Sequence, residues 1–260
     1  MQETQFMNTA LSTQDMRSVN ALLDGRGELH YQPVLRTQGG PTIAFHEALL
    51  RLRDETGAIL PPDVFIPVAR RAGIIAEVDA LALDLAVRIL DRSETLRLSV
   101  NMDPENLTNP IIQARIAALP SRIADRMILE VTEASQITDA MLIALRSFRA
   151  TGLTVLIDDF GAGYSSVRHF LTGAFDGVKL DWQLIHGVAD DHDRQAICRA
   201  LISIAQHFDL MVVAEGVETK ADADWLIDAG ADALQGFLFG RPTDRPGKLL
   251  LAEPFLRRIA

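Results

Sequence analysis

The sequence predicts an α/β fold, a TIM-like (β/α)8 barrel with an antiparallel first strand. Short β-rich runs alternate with longer helical ones about eight times over 260 residues, the size of a closed barrel. A polar or acidic residue ends nearly every β-rich run, whereas an open doubly wound sheet gathers its ligands at one switch point. Only a short link containing Gly39-Gly40-Pro41 joins the first two strands, too short for a crossover helix, so these two should pair antiparallel.

The elements follow in order. A helix is expected over 15–24, then strands over 28–34 and 42–47. Two helices follow at 63–72 and 76–92, the second marked by Leu81, Leu83, Leu85, Ala86, Ile89 and Leu90 on a helical period. Strand 96–101 leads to helix 109–118, strand 126–131 to helix 137–151, and strand 153–158 to helix 164–171. Strand 176–180 leads to helix 190–207, strand 209–214 to helix 219–229, and 232–235 completes the set. The strands are short β-branched and leucine runs such as Leu153 to Ile157.

Bulk composition narrows the function classes. At 48% hydrophobic and 23% charged residues the chain has ample core for one large domain, and no Pro/Gly/Ser-rich linker divides it. Residues 1–17 read as an N-terminal extension or a linker from an upstream domain, and 18–260 as the domain itself. A net charge of −10 argues against a nucleic-acid polymer or a membrane surface as partner, though bound metals would still allow a small anionic ligand. A single cysteine, Cys198, excludes an internal disulfide and fits the cytoplasm. The segment has no apolar run long enough to span a bilayer, and its start lacks the features of a signal peptide.

Five acidic or amide clusters each sit directly after a β-like stretch: Glu47, Asn101, Glu130, the pair Asp158-Asp159, and Glu215. Any one alone reads as a solvated strand end. Together they place hard oxygen donors around one mouth of a parallel barrel, where Mg²⁺ or Mn²⁺ binds and phosphate esters are cut. The adjacent carboxylates of Asp158 and Asp159 resist joint burial unless a cation lies between them, which suggests a two-metal clamp. Lys179 either pairs with Asp181 or points into the acidic mouth; there, surrounding carboxylates would favour a positioning role over that of a base. The glycine-punctuated run Asp159 to Ser166 reads as a mobile loop over the site rather than a dinucleotide fingerprint. His46-Glu47 lacks the second histidine of a zinc-protease motif, because Leu50 stands there. Trp182 and Trp225 read as packing residues.

In combination these motifs closely resemble the EAL domain of cyclic-di-GMP phosphodiesterases. The resemblance rests on Tyr31-Gln32-Pro33, Glu47-Ala48-Leu49-Leu50-Arg51, Pro62 with Phe65-Ile66-Pro67, Val100-Asn101, Glu130-Val131-Thr132-Glu133 and Asp158 to Ser166. It continues through Lys179-Leu180-Asp181, Ala214 to Thr219 and Gln235-Gly236-Phe237, so that it covers roughly 18–245 in family order. It implies hydrolysis of one phosphodiester of cyclic di-GMP to linear pGpG with Mg²⁺ or Mn²⁺, with Ca²⁺ inhibitory. It implies that Glu47, Asn101, Glu130 and Asp158 hold the first metal and that Asp158 and Asp159 serve the second. Glu215 would act on a metal or its water, Lys179 would assist the nucleophile, Glu133 would brace the 159–166 loop, and Gln235 would support the site. Gln32, Leu50 and Arg51 would contact the nucleotide. A homodimer and an upstream sensor or GGDEF domain are also implied. The alternative is a non-hydrolysing cyclic-di-GMP receptor or a protein-interaction domain. The chain departs from the family pattern at Leu52, Arg70 and Asp103, the last expected to add charge near the mouth.

Overall fold

The computed structural model describes residues 11–39, 42–132, 137–161 and 167–247. The chain runs through α1 (Thr13–Leu23), β1 (Gly27–Arg36), β2 (Ile43–Arg53), β3 (Ile59–Leu60), α2 (Pro62–Arg71), α3 (Ile75–Asp91) and β4 (Leu98–Met102). It continues through α4 (Pro110–Ala117), α5 (Ser121–Ala124), β5 (Met127–Thr132), α6 (Asp139–Arg149), β6 (Thr154–Phe160), β7 (Gly177–Leu180) and α7 (Trp182–Ile185). Last come α8 (His192–His207), β8 (Met211–Ala214), α9 (Lys220–Ala229) and β9 (Ala233–Gln235).

Eight strands close a barrel in the order β1-β9-β8-β7-β6-β5-β4-β2, with β1 returning to β2; β3 is a two-residue ribbon beside the end of β2. β1 is antiparallel to both neighbours, and the other barrel pairings are parallel. Each crossover helix packs its apolar stripe on the outside of the barrel. Local chemistry sets the helix starts. Ser12 caps α1, and Asn109, Thr138, Asp191 and Thr219 each accept a main-chain N–H at the start of α4, α6, α8 and α9. Pro62 and Pro110 open α2 and α4, where a missing N–H costs nothing.

The barrel interior is layered by strand alternation. Val34, Phe45, Ile128, Leu156, Val213 and Ala233 form an apolar floor. Burying the valine, isoleucine, leucine and phenylalanine side chains among them contributes about 1.5–3 kcal/mol each. Gly177 belongs to the same layer. A Cβ there would lie 2.6 Å from the Met211 carbonyl and 2.8 Å from Leu156 Cδ2, so only glycine leaves Leu156 its space.

Several expected boundaries move. The second strand runs on to Arg53 because β1 pairs with it from Phe45 through Leu52. Glu47 to Arg51 therefore lie within a strand rather than after one. The helix expected over 164–171 is, within the described residues, a short 3-10 turn at Val167–Thr172. Among the described residues no helix is long and apolar enough to cross a membrane. Arg70 and Asp103, both departures from the family pattern, form an ion pair with each other, and Asp103 is buried. Its added charge is thus neutralised locally by the Arg70 guanidinium.

Candidate active site

Side chains two apart on a strand face the same way. On β2, β5, β6 and β9 the residue two positions beyond the floor residue is Glu47, Glu130, Asp158 and Gln235. Two positions beyond Val213, just past the end of β8, stands Glu215, and two beyond Gly177 stands Lys179. On β1, which runs the other way, the equivalent residue is two positions earlier, Gln32. Strand alternation thus lays a polar layer directly on the apolar floor, at the C-terminal end of the parallel strands.

Lys179 is the centre of that layer. Its side chain is 1% exposed, and Nζ lies 2.6 Å from Glu130 Oε2, 3.0 Å from Asp158 Oδ1 and 3.8 Å from Glu47 Oε2, with Glu215 also in contact. Asn101 Nδ2 donates to Glu47 Oε1 at 2.9 Å, and Gln235 Nε2 donates to Glu47 Oε2. Gln235 Nε2 also reaches Gln32 Oε1 at 3.2 Å, and Gln32 Nε2 donates to the Gly240 carbonyl at 3.1 Å. One connected network therefore joins Gln32, Glu47, Asn101, Glu130, Asp158, Lys179, Glu215 and Gln235. Asp181, the other partner considered for Lys179, instead caps α7 by accepting from the Gln183 N–H at 2.8 Å.

The electrostatics follow from crowding four carboxylates around one cation away from water. Burial pushes the Glu130 carboxyl up to about 8 in spite of Lys179, and burial likewise holds Glu215 well above the carboxylate range. Burial works against the Lys179 charge, but Asp158, Glu130, Glu215 and Glu47 outweigh it and hold its ammonium well above the ordinary value. Lys179 is therefore a fixed cation rather than a proton acceptor near neutral pH.

Asp158 and Asp159 would normally point to opposite faces. The β6–β7 register slips between Ile157 and Phe160, and Asp159 adopts φ +56°, a left-handed conformation rare for a residue with a side chain. The bulge turns both carboxylates to the mouth, where oxygens of Asp158, Asp159 and Glu215 lie within 4.8 Å of one another. Desolvation, then the Asp158 and Asp181 charges, push Asp159 up to about 6. Glu130 Oε1 is buried with no hydrogen-bond partner among the described residues. A buried, unsatisfied carboxylate oxygen beside three clustered carboxylates and a neutral amide is the donor set of a hard divalent cation. The acidic cluster is therefore suited to bind a metal ion.

Arg51 shares the inward face of β2 with Glu47, is half-buried, and donates to the Leu50 carbonyl at 3.0 Å. Leu50 packs its side chain in the shell between barrel and helices, which leaves its main chain for any contact at the mouth. Glu133 and residues 162–166 of the glycine-rich loop lie outside the described residues. A cavity of about 250 Å³ opens over the network, lined by Gln32, Glu47, Glu215, Glu218, Gln235 and Trp182 among others. Trp182, expected to be a packing residue, is 55% exposed. The signal for this was positional, since it follows β7 directly in a strand-to-helix turn at the mouth. A larger cavity of about 530 Å³ opens at the opposite end of the barrel and holds none of the clustered residues.

Comparison with known proteins agrees with this geometry. The family model described as the EAL domain matches residues 17–242. MucR of Pseudomonas aeruginosa, a bifunctional diguanylate cyclase/cyclic di-GMP phosphodiesterase, is 36% identical over 235 residues, covering 86% of this chain and 34% of MucR. The cyclic di-GMP phosphodiesterase NbdA of the same organism is 36% identical over 248 residues, covering 91% of this chain and 31% of NbdA. The chain thus spans about a third of the length of these two relatives. A solved structure of the PaMucR phosphodiesterase in complex with c-di-GMP superposes with a TM-score of 0.78 at 32% identity, covering 94% of this chain and all of that one. With its barrel, its clustered mouth residues and a family match over most of its length, the chain belongs to the EAL domain family.

Proposed function

We propose that this domain hydrolyses one phosphodiester bond of cyclic di-GMP to linear pGpG in a reaction that needs Mg²⁺ or Mn²⁺. The observation that carries this reading is the convergence of Glu47, Asn101, Glu130, Asp158, Asp159, Lys179 and Glu215 on one barrel mouth, in a chain 36% identical to two proteins named as phosphodiesterases.

In this reading Glu47, Asn101, Glu130 and Asp158 hold one metal ion, and Asp158 with Asp159 serves a second. Bound there, such ions would supply Lewis-acid polarisation of the phosphate and a water molecule of lowered pKa. Lys179 stays protonated, separates the carboxylates and orients the attacking water through Nζ. Glu215, beside Lys179, accepts a hydrogen bond from that water. Arg51 binds a phosphate oxygen, and Gln235, tied to both Glu47 and Gln32, keeps the Glu47 carboxylate in position. Glu133 braces the 159–166 loop, and Gln32 and the Leu50 main chain contact the nucleotide. The same reading includes a homodimer, checked by light scattering, and a sensor or GGDEF domain on the same polypeptide, checked by sequencing the surrounding reading frame.

The test is hydrolysis of cyclic di-GMP with Mg²⁺ and with Mn²⁺, beside Glu47→Ala. Formation of pGpG that the variant loses supports the reading. Tight binding without pGpG under either ion replaces it with the receptor function.

A further inference from the structure

Trp182 exposes 55% of its surface, although it carries more apolar area than any other kind of side chain. It lines the same cavity as Glu47, Glu215 and Gln235. The residue is also held in place. Gly216 has φ +64°, and a Cβ there would fall 2.5 Å from Trp182 Cβ, so the bare Gly216 main chain seats the root of the indole. His186 meets the ring edge-on, with centroids 6.3 Å apart at 68°. Asp181 fixes the turn from which the side chain leaves. Phe237, 48% exposed, lines the same cavity, but the Arg241 guanidinium lies 4.0 Å from its centroid and covers one face. The second tryptophan, Trp225, is partly buried on α9 and carries the Arg199 guanidinium 5.2 Å from its ring centroid.

We propose that Trp182 is a stacking platform for a purine base of the bound dinucleotide and sets substrate affinity rather than the chemical step. This rests on the phosphodiesterase reading above. A phosphodiester held at the carboxylate cluster places its flanking bases along the cavity walls, and among the described residues the indole is the largest aromatic side chain lining that cavity. A ring with only two torsions to fix loses little entropy when it stacks, and stacking needs no hydrogen-bond partner on the ring face.

The experiment uses Trp225→Phe protein, in which Trp182 is the sole tryptophan, titrated with cyclic di-GMP in Ca²⁺ while indole fluorescence is followed. A saturable quench is expected, and it should be absent from Trp182→Phe, which keeps Trp225. With Mg²⁺, Trp182→Ala should raise Kd and KM roughly 5- to 100-fold, more than it lowers kcat, and Trp182→Phe should recover most of the loss. If the unmodified protein makes pGpG and Trp182→Ala matches its Kd and KM, the platform is overturned while the phosphodiesterase reading stands. If the unmodified protein makes no pGpG, that reading fails and the titration still decides: a saturable Trp182 quench upholds the platform, and its absence overturns it. Melting curves of each variant separate misfolding from lost stacking.

Discussion

Replacing Lys179 with methionine tests the electrostatic design of the barrel most directly. The side chain is 1% exposed and its ammonium is the shared partner of Glu130 at 2.6 Å, Asp158 at 3.0 Å and Glu47 at 3.8 Å, and also of Glu215. Methionine keeps most of the volume and removes the charge, so the carboxylates face one another without their cation. Deleting one partner of a buried ion pair costs about 3–5 kcal/mol. In a chain of this size each kcal/mol moves the melting temperature by about 2–4 °C, so the variant should melt about 6–20 °C lower in EDTA. The deficit should shrink as pH falls from 8 towards 5, because Glu130, already pushed up to about 8, then takes up a proton and the repulsion relaxes. Mn²⁺ at a hundred times its dissociation constant adds about 2.7 kcal/mol to any folded state that binds it. At one fixed Mn²⁺ concentration the gain should be larger in the variant, which binds the ion more tightly because the ion supplies the missing positive charge. Circular-dichroism melts in EDTA and in Mn²⁺ at both pH values measure all of this. A variant that melts within about 2 °C of the parent protein in EDTA would refute the reasoning.

Other perturbations follow from the same geometry. Burial pushes Asp79 from 3.8 up to about 7 although it accepts from the Asp103 N–H and Asn106 Nδ2 through one oxygen. A raised folded pKa means the contribution to stability is present at low pH and is lost as pH rises through about 7. Asp79→Asn keeps both hydrogen bonds and should gain about 1–4 kcal/mol over the parent at pH 8 in urea titrations; a loss there would contradict the assignment. Gly236→Ala would place a Cβ 2.0 Å from the Val217 carbonyl oxygen, so it should cost roughly 2–4 kcal/mol and lower turnover by shifting Gln235; parent-like melting and rate would count against it. Asp159→Asn should lower kcat about 100-fold while Kd for cyclic di-GMP changes little, and an equal loss in both would remove Asp159 from the chemistry. Calcium should raise the melting temperature yet support little pGpG formation, because its looser coordination misplaces the water; full activity in Ca²⁺ would argue against a two-metal geometry.

Much of the molecule was legible in the sequence because two periodicities carry it. Alternation of short β-branched runs with amphipathic helices fixes the βα order, and a link as short as the one holding Gly39-Gly40-Pro41 forces β1 and β2 into an antiparallel pair. The period of two along each strand also determined which residues share the mouth. Glu130 follows Ile128 and Asp158 follows Leu156 by the same step, so the polar layer was written above the floor layer. Other features needed the closed barrel, because they arise between residues far apart in the chain. The length of β2 was set by pairing with β1, which absorbed Glu47 to Arg51 into a strand. Arg70 and Asp103, 33 positions apart in the sequence, become one ion pair only when α2 packs beside the end of β4. The bulge that turns Asp159 to the side of Asp158 comes from the register between β6 and β7, which no local pattern specifies. Trp182 reads as a packing aromatic in the sequence, with its place just after β7 as the one hint otherwise, and the placement of α7 at the barrel mouth leaves its ring exposed. The sequence by itself determined which residues could meet, since strand and helix periods are local properties of the chain. The tertiary structure decided which of them share a charge, a bulge or a cavity wall, since those depend on long-range register and on burial away from water.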